Sequence, residues 1–103
     1  MQQAITVPSS VTVRSAHEFV QAILAGFENN EDAVLDVSAV VEADLAFVEI
    51  LYAAREQWAR AGRELRLVAP VTEPVVALLR RAGFLAEPTP QDIDFWFHGD
   101  LPQ

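Results

Sequence analysis

The sequence contains neither cysteine nor lysine. Without thiols the chain forms no disulfide, no thiolate nucleophile and no cysteine metal site, a composition that suits a cytoplasmic protein. Without lysine, arginine is the only permanent side-chain cation, and 7 arginines face 15 acids for a formal charge of −8. Such a field repels polyanions, so no nucleic-acid partner is expected. Arg55, Arg60, Arg63 and Arg66 lie close together in sequence and read as a solvated set complementing the end of a helix dipole. The 4 glycines (Gly26, Gly62, Gly83, Gly99) are scattered, which excludes phosphate-cradling and dinucleotide-binding fingerprints. No apolar run approaches the ~20 residues that span a bilayer, so no membrane insertion is expected. Met1-Gln2-Gln3 lacks the basic start and apolar stretch of a signal peptide.

What is present is an apolar chain of 103 residues, 51% hydrophobic, enough for one domain with one core. Ile5-Thr6-Val7 and Val11-Thr12-Val13, separated by Pro8-Ser9-Ser10, predict two short strands or one bent edge strand. Ser15-Ala16-His17-Glu18 matches a capping box, and Ala16, Phe19, Val20, Ile23, Leu24 and Phe27 then form one apolar helical face. Asn29-Asn30-Glu31-Asp32 breaks that pattern as a polar loop. Ala33 to Val37 predicts a central strand covered on at least one face. A second helix is expected from Leu45 to about Ala61, with Gly62 as its left-handed terminator. Glu64 to Ala69 predicts another strand, Thr72-Glu73-Pro74 opens a third helix, and Gly83-Phe84 ends it. After Pro88-Thr89-Pro90, Ile93, Phe95 and Phe97 alternate with Asp94, Trp96 and His98, which predicts a last, half-buried strand. The order implies an α/β fold: a single small domain over residues 4–98, its four- to five-stranded mixed sheet carrying helices, with residues 1–3 and 99–103 as flexible termini.

Catalytic chemistry finds little support. Ser9, Ser10, Ser15 and Ser38 lie in turns or caps, no nucleophile elbow exists, and His17 and His98 fall on expected solvent faces without a recognisable partner. Asp92, Asp94, His98 and Asp100 match neither a calcium loop nor paired-histidine zinc spacing, so no metal or other cofactor is expected. Glu42 and Asp44 stand together before the second helix, where an aspartate more often caps the backbone than performs acid–base work.

The run Asp36-Val37-Ser38-Ala39-Val40, followed by Asp44 at a helix start, resembles the STAS domain (sulphate transporter and anti-sigma-factor antagonist). In that family a strand ending Asp-hydrophobic-Ser-Gly-Val leads to Asp-Ser-Ser-Gly-Leu at a helix N-terminus. The similarity continues through Tyr52-Ala53-Ala54-Arg55, Gly62, Leu65-Arg66-Leu67-Val68 and Leu78-Leu79 to Gly83-Phe84, covering about residues 33–85. It implies a non-enzymatic bacterial module, in many members a partner of an anti-sigma-factor kinase that phosphorylates the second serine of the motif. By position, Asp44 keeps the aspartate, Leu45 and Ala46 replace the serines, and Phe47 replaces the glycine. Ala46 has no hydroxyl, so no phosphorylation is expected there. The Ala-Asp-Leu-Ala-Phe-Val helix start is more similar to chemotaxis-linked members than to sporulation members.

The resulting expectation is a signal-transduction module that docks a protein through residues 38–49, with Ser38, Glu42, Asp44, Leu45, Ala46, Phe47 and Glu49 as contact residues. The resemblance allows as partner a kinase, an anti-sigma factor, a response regulator or, in the alternative of a soluble subunit of an ABC-type lipid transporter, the transporter ATPase. A small-ligand or nucleotide-binding domain is the further alternative. Leu45 is expected to be exposed. Phe47 either joins the contact surface or turns inward, and Trp96 on the last strand either marks a homodimer contact or packs under the C-terminal tail.

Overall fold

A computed structural model describes residues 4–29 and 32–100. The expected flexible segment 1–3, most of segment 99–103 and half of the loop expected at 29–32 lie outside the described residues. Strand β1 (Ala4–Thr6) pairs in parallel with β3 (Ala33–Asp36), which pairs in parallel with β5 (Leu65–Leu67). Along β3 Ala33 and Leu35 are buried and Val34 and Asp36 half-buried, as expected for the middle strand of the three. The second short run near the N-terminus is a separate strand, β2 (Ser10–Val11), and its partner is β4 (Glu42–Ala43). All described pairings are parallel, so five strands split into a three-stranded sheet and a two-stranded ribbon in place of one mixed sheet.

Helix α1 (Ala16–Asn29) lays Phe19 and Ile23 into the core beside α2 (Leu45–Arg60). The expected capping box does not form: the Ser15 hydroxyl turns back to Thr12, accepting from its N–H at 3.1 Å and donating to its carbonyl. In α2 the buried set Phe47, Val48, Leu51, Ala54 and Trp58 recurs at helical spacing. Gly62, at φ +72°, then lets the Arg63 and Gly62 N–H groups reach the Trp58 and Ala59 carbonyls at 2.9 and 3.0 Å. Helix α3 (Glu73–Arg81) ends the same way, with Phe84 N–H on Leu79 and Gly83 N–H on Arg80.

The largest correction concerns the last element. Residues expected as a strand form helix α4 (Pro90–Phe97). Thr89 caps it reciprocally: its hydroxyl accepts from Asp92 N–H at 3.1 Å while its own N–H donates to Asp92 at 3.2 Å. Three consecutive residues, Phe95, Trp96 and Phe97, are buried, because the helix end packs on β5, Val71 and Tyr52. Trp96 is therefore not on an outward face: it is 1% exposed and lies 5.9 Å from the Tyr52 ring, which removes it as a homodimer contact. His98 follows at φ +53° and gains the partner the sequence did not show, donating from Nε2 to the Leu67 carbonyl at 2.9 Å. That bond, with outward-facing Arg66, blunts the open edge of β5.

Arg55 pins α4 to α2. Its guanidinium lies 3.0 Å from the Asp92 carboxylate, 4.6 Å from the Phe95 ring centroid and 5.1 Å from that of Tyr52. Partial burial works against the charged form of Asp92, but the bonds from Arg55 and Thr89 outweigh it and hold the carboxyl below its ordinary value. A lowered native value means the contribution to stability is complete above the unfolded-state pKa and is lost as pH falls through the native one. Urea denaturation as a function of pH should show Asp92→Asn less stable at neutral pH, the difference shrinking as acid titrates Asp92. For Trp96→Ala, a loss of about 3–5 kcal/mol is expected in the same assay.

Candidate functional site

The C-terminal ends of β1, β3 and β5 and the starts of the helices that follow them share one end of the domain, and the strand–helix junction forms its centre. At the end of β3, Asp36 takes both the Ser38 hydroxyl (2.6 Å) and the Ser38 N–H (3.0 Å) on Oδ1. The hydroxyl bond first and the backbone bond second hold the Asp36 carboxyl below its ordinary value. Ser38 thus fixes a turn. Val37 and Val40 plunge into the core on either side of the exposed Ser38 and Ala39. The Val40 carbonyl accepts from Thr72 Oγ1 at 2.8 Å, which ties the loop to the start of α3.

Beyond that point the chain is clasped by the N-terminal segment. Val41 and Glu42 both donate backbone N–H to the Ser9 carbonyl, at 2.9 and 3.0 Å, and the Glu42 carboxylate accepts the Ser10 hydroxyl. Asp44 then does two jobs. Its Oδ1 accepts from Ala46 N–H and its Oδ2 from Val13 N–H, each at 3.0 Å, so one carboxylate caps α2 and fastens the β2–α1 connection to it. The capping expectation for Asp44 holds. Its oxygens also fill the place where a bound anion would meet the first free N–H of the helix.

The side chains expected at the contact divide. Leu45, the first residue of α2, is 45% exposed, and Glu49 stands exposed one turn along the same face. Glu42 and Ser38 are exposed, Asp44 and Ala46 half-buried. Phe47 is 0% exposed and stacks on Phe19 at 5.8 Å, so of its two readings the inward one is correct and it belongs to the core. Two exposed apolar residues were not singled out by the sequence. Val41, 67% exposed, projects from the loop, and Val13, 73% exposed, is held beside the α2 start by its bond to Asp44. The only signal for Val41 was its place in the Val40-Val41 pair, where one valine must face out if the other faces in.

None of this resembles a reaction centre. Among the described residues no three His, Asp or Glu side chains gather to hold a metal ion. Elsewhere, a cavity of about 460 Å³ lies between β5, α4 and Arg55, away from the junction. No described helix is long and apolar enough to cross a membrane.

A family model described as "Mlab, STAS domain" matches residues 2–86. The chain belongs to the STAS domain family. The match reaches from the N-terminal strands through the end of α3 and stops short of α4. No curated protein and no solved structure matches the chain. Membership supports an anti-sigma-factor antagonist-like module, and STAS domains are generally interaction modules without enzymatic activity. In this STAS domain the backbone of the junction is hydrogen-bonded to Asp44, Ser9 and Thr72. Asp44→Ala removes two hydrogen bonds from it and should cost about 1–2 kcal/mol in urea denaturation, with Asp44→Asn losing less.

Proposed function

We propose that this STAS domain is a protein-docking module of a bacterial signalling system and that its contact face is the junction 38–49 together with Val13. The observation that carries the proposal is the exposure of Val13, Val41 and Leu45 around a junction whose backbone is tied down by Asp44, Ser9 and Thr72. A mount of this kind loses little conformational entropy when a partner covers it. Burying a Leu or Val side chain fully contributes about 1.5–3 kcal/mol, so these three partly exposed ones form an apolar centre that a larger contact with polar rim bonds would complete. Ser38, Glu42 and Glu49 supply that rim, and Ala46, its N–H already taken by Asp44, adds only a half-buried methyl group.

The partner in this reading is a kinase, an anti-sigma factor or a response regulator. At the position the family's motif gives to the phosphoacceptor stands Ala46, so docking is not switched there by phosphorylation. A contact without that switch also suits permanent assembly, which favours as second reading a STAS subunit bound stably to a transporter ATPase through the same face. A nucleotide or small-ligand site fits less well, since Asp44 already occupies the anion position at the start of α2.

The test is capture of interacting proteins on immobilised chain. Leu45→Glu and Val41→Glu, each verified as folded by circular dichroism, should weaken retention of the captured protein about tenfold or more, because each sets a charge into the dry centre of the contact. The captured protein separates the two readings: a kinase or regulator supports the first, an ATPase the second. Undiminished retention by both variants would remove the junction as the contact face.

A further inference from the structure

The chemistry of the partner can be read from the distribution of charge, granted the docking face just proposed. Six of the seven arginines lie away from that face: Arg55 and Arg60 in the later half of α2, Arg63 and Arg66 between it and the middle of β5, and Arg80 and Arg81 in the last turn of α3. At the docking end stand Glu18, Asp36, Glu42, Asp44, Glu49 and Glu73, with Arg14 as the one arginine among them. Asp36 and Asp44 are bonded only to neutral hydroxyl and N–H donors, which spread their charge without cancelling it. Glu18, Glu42, Glu49 and Glu73 are exposed, and none of the four is in an ion pair among the described residues.

We infer that the docking face takes a cationic partner, an apolar surface edged with arginine or lysine. Glu42 follows Val41 directly and Glu49 stands one helical turn from Leu45, so these carboxylates lie at the margin of the apolar contact. Covering Val41 and Leu45 strips water from that margin. A neutral or acidic partner leaves the carboxylates poorly solvated and unpaired, whereas guanidinium or ammonium groups replace the lost water with charge-assisted bonds. The same field accelerates the approach of a basic surface and repels an acidic one. Outside the docking end six arginines are interleaved with nine acids, such as Glu56 and Glu64, so the larger share of the net negative charge falls on the docking end.

The test uses three synthetic helical peptides with one leucine stripe, flanked by Arg, by Gln or by Glu, titrated into the isotopically labelled full chain and followed by amide chemical shifts. The Arg-flanked peptide should shift Val13 and residues 41–49 and bind about tenfold or more tightly than the Glu-flanked one at low salt. That gap should narrow at high salt and in the Glu42→Gln/Glu49→Gln/Glu73→Gln variant. Equal binding of all three peptides at 41–49, or preference for Gln or Glu, overturns the charge inference while leaving the docking face standing. Shifts centred elsewhere, or none with any peptide, overturn both.

Discussion

One carboxylate holds the working end of this domain together. Asp44 accepts from Ala46 at the start of α2 and from Val13 in the β2–α1 connection, and these two bonds decide where the neighbouring side chains point. With Asp44 as cap, Leu45 becomes the first helical residue and faces out, and Phe47 falls on the inward face, where it meets Phe19. Val13 is carried to the helix start by the same group. The parallel pairing of β2 with β4 is the backbone counterpart of this clasp, since two strands of two residues each could hardly persist alone.

A helix N-terminus ordinarily invites an anion, but here the invitation is answered internally by Asp44. The exposed residues that remain are mostly apolar or acidic, with Ser38 and Arg14 among the exceptions. What the local chemistry offers a partner is therefore burial at the centre and charge at the rim, on a backbone with little freedom left to lose.

Much of this was legible in the sequence because the relevant signals were local. Gly62 and Gly83 stood where helices had to stop, Asp44 stood where one had to start, and the largely apolar stretch at 33–37 pointed to a central strand covered on at least one face. Phe47, expected among the contact residues with its direction left open, is instead claimed by the core, because it shares one helical stripe with Leu51, Ala54 and Trp58. Helix α4 was misread because a short apolar segment with Ile93, Phe95 and Phe97 satisfies a period of two, while burial of three consecutive residues erases the helical period. The corrective signal was Thr89-Pro90-Gln91-Asp92, a capping box opened by a proline in its favoured place. Strand β4 gave no signal at all. Its two residues, Glu42 and Ala43, are not β-branched and are poor strand formers, and only the arrival of Ser10 and Val11 makes them a strand. The Arg55–Asp92 clamp joins residues 37 positions apart and was equally invisible.

A protein partner is expected to cover the apolar side chains around the Asp44 cap. Site-specific photo-crosslinking in the living cell tests it most directly, with the photoreactive residue placed at Val41, at Leu45 or at Gln57, the last exposed on α2 beyond the junction. A crosslinked adduct to one and the same protein is expected from positions 41 and 45 and none from 57. An adduct from position 57 with none from 41 or 45 would contradict it.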